Sequence, residues 1–248
     1  MSNIVLITGA SRGIGAATAR LAATRGYDVA VNYHTNRDAA QAVAKDIRAL
    51  GRKALVVSAD VADETQIMTM FERIDTELGT LNALVNNAGI LKPQCRVEDM
   101  STKRLQQVLA VNITGSILCA REAIRRMSVA NGGHGGAIVN VSSMAARLGS
   151  PNEYVDYAAS KGAVDSLTLG LAKELAADGI RVNAVRPGII DTEIHASGGE
   201  PDRIARLAPS VPLQRAGTPV EVAAAILWLL SDQAGYSTGT FIDVSGGR

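Results

Sequence analysis

The chain has 248 residues, of which 47% are hydrophobic and 20% charged, and this composition predicts one compact domain over residues 1–248 and argues against general disorder. Its formal net charge is +1 with Lys and Arg scattered along the sequence, which argues against nucleic acid or an anionic membrane as partners. No basic segment precedes the short apolar run "IVLI", and Cys95 and Cys119 match no metal-ligand spacing, so we expect a cytoplasmic protein without a metal site.

Short β-branched runs alternate with longer stretches of helical periodicity along the whole chain. The predicted strands lie in "NIVLIT", "DVAVNY", "KALVVS", "LNALVNN", "GAIVNVSS", "IRVNAVRP" and "TFIDV". The predicted helices lie between them, at about 14–25, 37–50, 63–78, 101–129, 154–178 and 219–231. Because the strands lack polar alternation, helices must cover both faces of the sheet. The pattern predicts a doubly wound, Rossmann-type α/β fold with a parallel sheet of about seven strands and a ligand beyond their carboxyl ends.

A glycine-rich turn follows the first predicted strand, in "TGASRGIG" at residues 8–15. Side chains at Gly9, Gly13 and Gly15 would block a tight turn or the approach of a pyrophosphate, and the free amides of the helix start favour an anion. The spacing is G-x-x-x-G-x-G and not G-x-G-x-x-G, and such glycines can also serve turn geometry alone. The position after strand one favours the phosphate-binding interpretation.

The end of the second predicted strand, "NYHTNR" at 32–37, bears on the choice of nucleotide. A carboxylate here usually holds the ribose of NAD, and this segment has none. Arg12, His34 and Arg37 could instead face the 2′-phosphate of NADP. Alternatively these are solvated surface residues, and Asn32 or Tyr33 hydrogen-bonds an unphosphorylated ribose, so NAD remains possible.

Two tyrosines and a lysine stand close together in "YVDYAASKG", residues 154–162. In a helix Tyr157 and Lys161 share a face, where the ammonium would lower the phenol pKa and suit the pair to proton transfer. Tyr154 lies on nearly the same side, so spacing does not choose between the tyrosines. The alternative is a half-buried aromatic ring beside a snorkelling lysine.

These motifs occur with several others in a fixed order. They are "TGASRGIG", "ADV" at 59–61, "NNAG" at 86–89, "VN" at 111–112 followed by Gly115, "VNVSS" at 139–143, "YAASKG" at 157–162, "RVNAVRPG" at 181–188 and "FIDVSGG". Over residues 4–247 the chain resembles the short-chain dehydrogenases/reductases, specifically the single-domain type that includes 3-oxoacyl-carrier-protein reductases and glucose dehydrogenases.

The resemblance implies roles for four residues. Tyr157 would be the general acid/base, and Lys161 would bind the nicotinamide ribose and lower the tyrosine pKa. Ser143 would hydrogen-bond the reacting oxygen, and Asn112 would bend its helix and hold a water that connects Lys161 to solvent. These roles imply reversible oxidation of a secondary alcohol to a carbonyl, with an NADP-linked carbonyl reductase as the leading expectation.

The predicted nucleotide-binding residues come from the glycine turn, the end of the second strand and the matching family motifs. They are Gly9, Ser11, Arg12, Gly13, Ile14, Gly15, Asn32, His34, Asp60, Val61, Asn86, Ala88, Gly89, Tyr157, Lys161, Pro187, Gly188, Ile190 and Thr192. Several of them also have a local structural use, since Pro and Gly suit turns and Asn suits a strand end.

The expected substrate pocket is built from "ILKPQCR", the 144–154 loop and 189–215, with a lid over about 192–215. Ser143 and Tyr157 are fourteen positions apart, one more than is typical of this type, so either the loop bulges or another serine acts. Possible pocket residues are Cys95, Arg96, His195 and Tyr154. Three of them also have a plain interpretation: Arg96 as a solvated side chain, His195 as a surface histidine and Tyr154 as a packed or surface aromatic. A nucleophilic role for Cys95 would need a base partner that the sequence does not show.

Other functions and assemblies stay open. A sugar or polyol dehydrogenase would share the same machinery. A non-enzymatic nucleotide-binding regulator would be expected to lose the Tyr, Lys or Ser, and a methyltransferase would lack Tyr-x-x-x-Lys. The family resemblance implies a homotetramer through the helices near 101–129 and 154–178 and the C-terminal strand, with a dimer as the alternative and a small alcohol or carbonyl compound as substrate.

Overall fold

One parallel sheet organises the computed structural model, which describes residues 3–248. Its strands are β1 (Asn3–Ile7), β2 (Tyr27–Tyr33), β3 (Ala54–Ser58), β4 (Ala83–Asn86), β5 (Gly136–Val141), β6 (Ile180–Pro187) and β7 (Phe241–Val244). The order across the sheet is β3-β2-β1-β4-β5-β6-β7, and every neighbouring pair is parallel. The predicted parallel sheet of about seven strands is confirmed.

Helices connect the strands and lie on both faces of the sheet. They are α1 (Gly13–Thr24), α2 (Arg37–Ala49), α3 (Glu64–Glu77), α4 (Thr102–Leu109), α5 (Gly115–Met127), α6 (Ala145–Leu148), α7 (Val155–Glu174), α8 (Ile194–Ser197), α9 (Arg203–Leu207) and α10 (Pro219–Leu230). Short 3₁₀ turns lie at Val97–Asp99, Val129–Asn131, Ala208–Ser210 and Asp232–Ala234. From residue 3 to residue 248, no helix has both the length and the apolar character that a bilayer crossing requires.

The hydrophobic core has one layer on each face of the sheet. Side chains of α1, α2 and α10 form one layer with Ile7 of β1, and side chains of α3, α5 and α7 form the other with Leu6. Successive residues of a strand point to opposite faces, so a strand buried on both sides must be apolar throughout. The absence of polar alternation in the sequence therefore reflects a sheet covered on both faces, and the doubly wound fold is confirmed.

The predicted helix at 101–129 is divided in the structure. α4 and α5 are joined by a π-helical turn over Ala110–Thr114, in which one extra residue is inserted into the helical repeat. A single residue inserted between two helical stretches hardly changes the periodicity of the sequence, so the π turn could not be predicted from it. The π turn contains Asn112, and the segments that follow β1, β4, β5 and β6 meet beside it at the switch in strand order.

A buried polar network holds β5 against α7. The Asn140 amide donates to Thr168 Oγ1 at 2.9 Å and accepts from Asn86 Nδ2 at 3.1 Å. Thr168 in turn donates to the Val164 carbonyl at 2.8 Å. Because Asn140 and Thr168 are fully buried, each bond replaces water that these groups would otherwise bind. The network fixes how the helix lies along the strand.

We expect Thr168→Val to lower the free energy of unfolding by about 1–3 kcal/mol, because it leaves the buried Asn140 amide without its acceptor. Thr168→Ser is the matched control, since it retains the hydroxyl and loses only a methyl group. Urea denaturation of both variants measures the difference. A valine variant as stable as the serine variant would show that the network does not stabilise the fold.

Candidate active site

A cavity of about 650 Å³ opens at the carboxyl ends of the strands. Its walls are the glycine turn after β1 and the segments after β2, β3, β4, β5 and β6. Ligands of doubly wound sheets bind at this location. The volume is in the range of cofactor and small-molecule sites.

The glycine turn forms one end of the cavity. Gly9 and Gly13 have φ of 63° and 53°, in the left-handed region that side chains disfavour. A Cβ on Gly9 would lie 3.1 Å from the Ala88 Cα, so the turn packs directly against the segment after β4. α1 begins here with no side-chain cap and no acidic residue in its first turn. Its free amides are therefore available to an anion.

Most of the predicted nucleotide-binding residues line this one cavity. Those that do so are Gly9, Ser11, Arg12, Gly13, Ile14, Asn32, His34, Asp60, Val61, Ala88, Gly89, Tyr157, Lys161, Pro187, Gly188, Ile190 and Thr192. They come from six separate parts of the chain. Gly15 and Asn86 are not among the lining residues.

Gly15 and Asn32 support the turn from behind. A Cβ on Gly15 would lie 2.5 Å from the Gly9 carbonyl oxygen, so this glycine permits close packing of α1 on β1. The Asn32 side chain is buried, accepts from the Gly9 amide at 3.1 Å and donates to the Ala59 carbonyl at 3.1 Å. Asn32 lines the cavity, but these internal bonds already engage its amide oxygen and nitrogen, so its expected hydrogen bond to a ribose stays a prediction.

In "NNAG" the second asparagine, and not the first, reaches the cavity. Asn86 is the last residue of β4, and its amide donates to the Ser116 carbonyl at 3.0 Å and to Asn140 at 3.1 Å, inside the protein. Asn87 lines the cavity and donates to the Thr8 carbonyl at 2.8 Å. The predicted direct role of Asn86 is therefore wrong. Strand alternation is the signal that could have distinguished the two.

Two basic side chains, Arg12 and His34, line the cavity near the end of β2. Arg12 is exposed, and its guanidinium has no ion-pair partner in the part of the chain that the structure describes. His34 is largely exposed, and its Nε2 lies 3.7 Å from Asp60 Oδ2. Arg37 and Tyr33, two further candidates for this region, are not part of the cavity wall.

Ser143, Tyr157 and Lys161 come together on another wall of the cavity. Lys161 is buried, and its Nζ donates to the Val141 carbonyl at 2.7 Å and lies 5.6 Å from the centre of the Tyr157 ring. Ser143 is half-buried beside the tyrosine. The neighbouring Ser142 is buried and donates to the Lys161 carbonyl at 3.2 Å, so its hydroxyl is engaged in the structure. Ser143, whose Oγ also accepts from the Ala145 amide at 3.1 Å, is the hydrogen-bonding neighbour of the Tyr157 side chain, and the geometry therefore agrees with Ser143 as the serine of the site.

Burial dominates the electrostatics of this group. It raises the pKa of Tyr157, and the Ser143 side chain opposes this as a hydrogen-bonding neighbour. The sequence predicted a lowered tyrosine pKa, because it showed the nearby lysine but not the loss of solvent. Burial also lowers the pKa of Lys161 to about 8, which Asp165 partly opposes. The phenol is thus protonated at neutral pH.

Asn112 lies behind the catalytic wall and is not part of the cavity lining. Its Oδ1 accepts from the Ile90 amide at 2.8 Å, and its Nδ2 donates to Ser160 Oγ at 3.0 Å. Ser160 donates to the Tyr157 carbonyl at 2.7 Å. The expected bend is present as the π turn, and Asn112 joins that turn to the helix that carries Tyr157. The expected water stays a prediction.

A buried ion pair, which no sequence signal indicated, holds the first turn of α7. Arg104 binds Asp156 through two bonds of 2.7 and 3.1 Å, and both side chains are largely buried. Asp156 also accepts from the Tyr157 amide at 2.9 Å. The two residues are 52 positions apart, so only the folded chain brings them together. The pair positions the backbone at Tyr157.

The structure decides between the alternatives left open for the substrate side of the cavity. Cys95 and Arg96 do not line it, and Arg96 is a surface side chain that pairs with Glu98 at 2.6 Å. His195 is buried and lines the cavity, so its interpretation as a surface histidine is wrong. It is buried because α8 folds back over the strand ends, which periodicity in a glycine-rich segment does not predict. Tyr154 also lines the cavity, which agrees with its interpretation as a pocket residue.

The loop between Ser143 and Tyr157 makes tight turns. It contains the short helix α6, followed by left-handed residues at Gly149, Ser150 and Asn152, with φ of 74°, 44° and 62°. Two of these three residues are not glycine, which is uncommon in this region. The loop then reaches Tyr154 at the start of α7. The loop forms part of the cavity wall through Leu148, Ser150, Pro151 and Glu153.

Comparisons with known proteins agree with the fold and the site. A family profile described as Enoyl-(Acyl carrier protein) reductase matches residues 9–248. The chain is 60% identical to the uncharacterized oxidoreductase YgfF of Escherichia coli (strain K12), over 99% of both chains. It is 41% identical to the cis-4-hydroxycyclohexanecarboxylate dehydrogenase of Sinomonas cyclohexanicum, over 98% of this chain and 95% of the relative.

A solved structure shows the same architecture. The crystal structure of a short-chain type dehydrogenase/reductase from Mycobacterium marinum superposes with a TM-score of 0.92 at 39% identity, covering 99% of this chain and 94% of that one. The chain belongs to the short-chain dehydrogenase/reductase family. It is an oxidoreductase of alcohol or carbonyl substrates, in a family whose members use NAD or NADP.

The buried lysine makes stability depend on pH. Between pH 8 and 9.5 the folded Lys161 releases its proton while the unfolded chain, with a lysine pKa near 10.5, keeps it, so stability rises with pH. Wild type should therefore gain about 2 kcal/mol of unfolding free energy relative to Lys161→Met across this window. Urea denaturation at several pH values measures the gain.

The control is Lys173→Met, because Lys173 lies exposed on the same helix. Its stability should change with pH in parallel with that of wild type. A constant difference between wild type and Lys161→Met from pH 8 to 9.5 would contradict a lowered lysine pKa.

Proposed function

We propose that the protein is an NADP-linked carbonyl reductase in which Tyr157 is the general acid/base. The observation that carries this proposal is the convergence of Ser143, Tyr157 and Lys161 on a cavity whose other end is an uncapped helix start. A proton-transfer group and an anion site thus share one enclosed space. This is the arrangement that alcohol–carbonyl chemistry with a dinucleotide requires.

The residues present fit a phosphorylated dinucleotide. The free amides of α1 and the close approach that Gly9 and Gly13 permit suit a pyrophosphate. Arg12 lines the cavity with a guanidinium that has no ion-pair partner within residues 3–248. The segment at the end of β2, residues 32–37, has no carboxylate of its own to bind a ribose, and the nearby Asp60 belongs to the segment after β3. Asn32 is engaged with the turn itself. These features favour NADP over NAD.

The chain's own groups would handle the proton and the developing charge. When bound, the nicotinamide supplies or accepts the hydride. The Tyr157 hydroxyl donates its proton to a carbonyl oxygen in reduction, or takes the proton of an alcohol in the reverse direction. The Ser143 hydroxyl hydrogen-bonds the same oxygen, and this bond strengthens as negative charge develops. Lys161 places a positive charge beside the phenol and favours its ionised form when the proton leaves.

Reduction is the direction we propose, in which the protonated Tyr157 phenol donates to the carbonyl oxygen. A sugar or polyol dehydrogenase would use the same residues in the opposite direction, and it remains the second candidate because the cavity contains several polar side chains. A non-enzymatic regulator has no support from a site that retains Ser, Tyr and Lys.

We further propose that residues 192–215 act as a lid and that the protein is a cytoplasmic homotetramer. α8 and α9 of this segment lie beside the cavity mouth, where His195 and Arg203 contribute to the wall. The tetramer draws support from exposed apolar side chains on α4, α5 and α7, which occupy the two helical stretches named from the sequence. They are Leu105, Leu109, Ile117 and Leu169, each at least 36% exposed in the single chain.

Tyr157→Phe should lower turnover roughly a hundredfold or more, because phenylalanine has no proton to transfer. Affinity for NADPH should stay within about threefold of wild type. A screen of ketones, β-ketoacyl thioesters and sugars with both nucleotides supplies the substrate, and Tyr27→Phe, at the opposite end of β2, is the control. Near-normal turnover by Tyr157→Phe would exclude the mechanism.

Nucleotide choice is tested by titrating NADPH and NADH against the protein and following nucleotide fluorescence. NADPH should bind more tightly, and Arg12→Gln should weaken NADPH about tenfold while leaving NADH nearly unchanged, because only NADPH carries the 2′-phosphate. Arg37→Gln is the matched control, since Arg37 is exposed nearby but does not line the cavity. Tighter binding of NADH, or an equal effect of Arg12→Gln on both nucleotides, would refute the assignment.

A further inference from the structure

Two buried polar atoms on the substrate side of the cavity have no hydrogen-bond partner within residues 3–248, although the Gln94 side chain lies near one of them, the Tyr154 hydroxyl. Only three such side-chain atoms occur in residues 3–248, and two of them, the Tyr154 hydroxyl and His195 Nδ1, belong to residues of this cavity wall. Tyr154 is 2% and His195 9% exposed, so solvent does not satisfy them. A buried polar group without a partner costs stability, and such groups in native proteins require an explanation.

The hydrogen-bonding capacity of His195 follows from its one partner. Its Nε2 lies 3.0 Å from the Ile190 carbonyl oxygen, and a carbonyl only accepts, so Nε2 carries the hydrogen. Burial lowers the pKa of His195, which favours the neutral ring. In that ring Nδ1 is a bare acceptor. The Tyr154 hydroxyl, by contrast, both donates and accepts.

The cation beside these two residues is already neutralised. The Arg203 guanidinium lies 4.8 Å from the centre of the Tyr154 ring. It pairs with Glu153 at 2.7 Å and with Glu200 at 2.8 Å, and Arg206 binds the same two carboxylates at 2.9 and 2.6 Å. Two arginines and two glutamates balance in charge. Arg203 therefore anchors the lid segment to the 144–154 loop and has no free charge for an anionic substrate.

We infer that Tyr154 and His195 form a subsite for an uncharged hydroxyl group of the substrate, separate from the carbon that reacts. A hydroxyl is both donor and acceptor, so it can donate to His195 Nδ1 and accept from Tyr154 once a movement of the lid segment exposes these two atoms, which are closed to solvent in the structure. A carboxylate would place negative charge against the bare lone pair of Nδ1. The inference rests on the proposed function, because it assumes that the protein reduces a carbonyl group. With this subsite, the substrate is a hydroxy-substituted carbonyl compound or the corresponding diol.

The test compares three matched sets of small molecules. They are hydroxyacetone with its longer terminal-hydroxyl homologues, acetone with the parent methyl ketones, and pyruvate with the longer keto acids. Binding to the NADP-loaded protein is measured by saturation-transfer NMR, which does not require turnover, and reduction is measured by NADPH oxidation. Wild type, Tyr154→Phe, His195→Gln, Tyr157→Phe and the control Tyr27→Phe are compared.

Wild type should prefer a hydroxyketone over its parent ketone by roughly tenfold or more, since a site built for a hydroxyl discriminates against the analogue that lacks it. Tyr154→Phe and His195→Gln should lose this preference while still reducing the parent ketone. Tyr157→Phe should lose turnover but keep the preference in binding. Tyr154→Phe should also melt at or above the wild-type temperature, because it removes an unsatisfied buried hydroxyl. A merely structural role for this hydroxyl would lower the melting temperature instead.

The outcomes separate this inference from the proposed function. Turnover of ketones without any hydroxyl preference overturns the subsite and leaves the reductase standing. A hydroxyl preference in binding that depends on Tyr154, without turnover, supports the subsite and counts against the reductase. A preference for the keto acids overturns the subsite and indicates that Arg203 leaves its glutamates to bind an anion. The absence of a preference in both assays also overturns it.

Discussion

The buried ammonium of Lys161 is the constraint on which the site depends. Its bond to the Val141 carbonyl joins the last residue of β5 to the middle of α7. That bond, with the Asn140–Thr168 contact deeper in the same interface, determines where the helix lies along the strand. Ser143 follows the strand and Tyr157 precedes the lysine by one helical turn. Their meeting is a consequence of this alignment.

The site concentrates groups that a fold selected for stability alone would avoid. Lys161 loses solvation, Tyr157 is held protonated by burial, and two polar atoms of the substrate side have no partner. The surroundings offset these costs with two apolar layers and with the engaged side chains of Asn32, Asn86 and Asn140. Perturbed groups in one cavity, within a well-satisfied interior, are typical of a functional site.

The positions of residues in motifs at the ends of strands were predictable from the sequence. The positions of residues that depend on contacts between distant segments were not. The glycine turn, Ser143, Tyr157 and Lys161 lie where the alternation of strands and helices put them. Asn86 and Asn87 show the limit of this argument, because adjacent residues at a strand end point to opposite sides. His195 shows a second limit of sequence-based prediction. The short helix that contains it has too few residues for periodicity to reveal which of its faces is buried.

By itself the sequence determined the class of fold and the end of the sheet at which the cavity lies, and its family motifs indicated Ser143, Tyr157 and Lys161 as the residues that meet there. Strand and helix periods are local, and the family motifs are contiguous. Only the tertiary structure decided that burial raises the tyrosine pKa, that Arg104 and Asp156 pair across 52 positions and that Arg203 is neutralised by two glutamates. Solvation and ion pairing depend on which distant segments meet. That information is absent from any short stretch of chain.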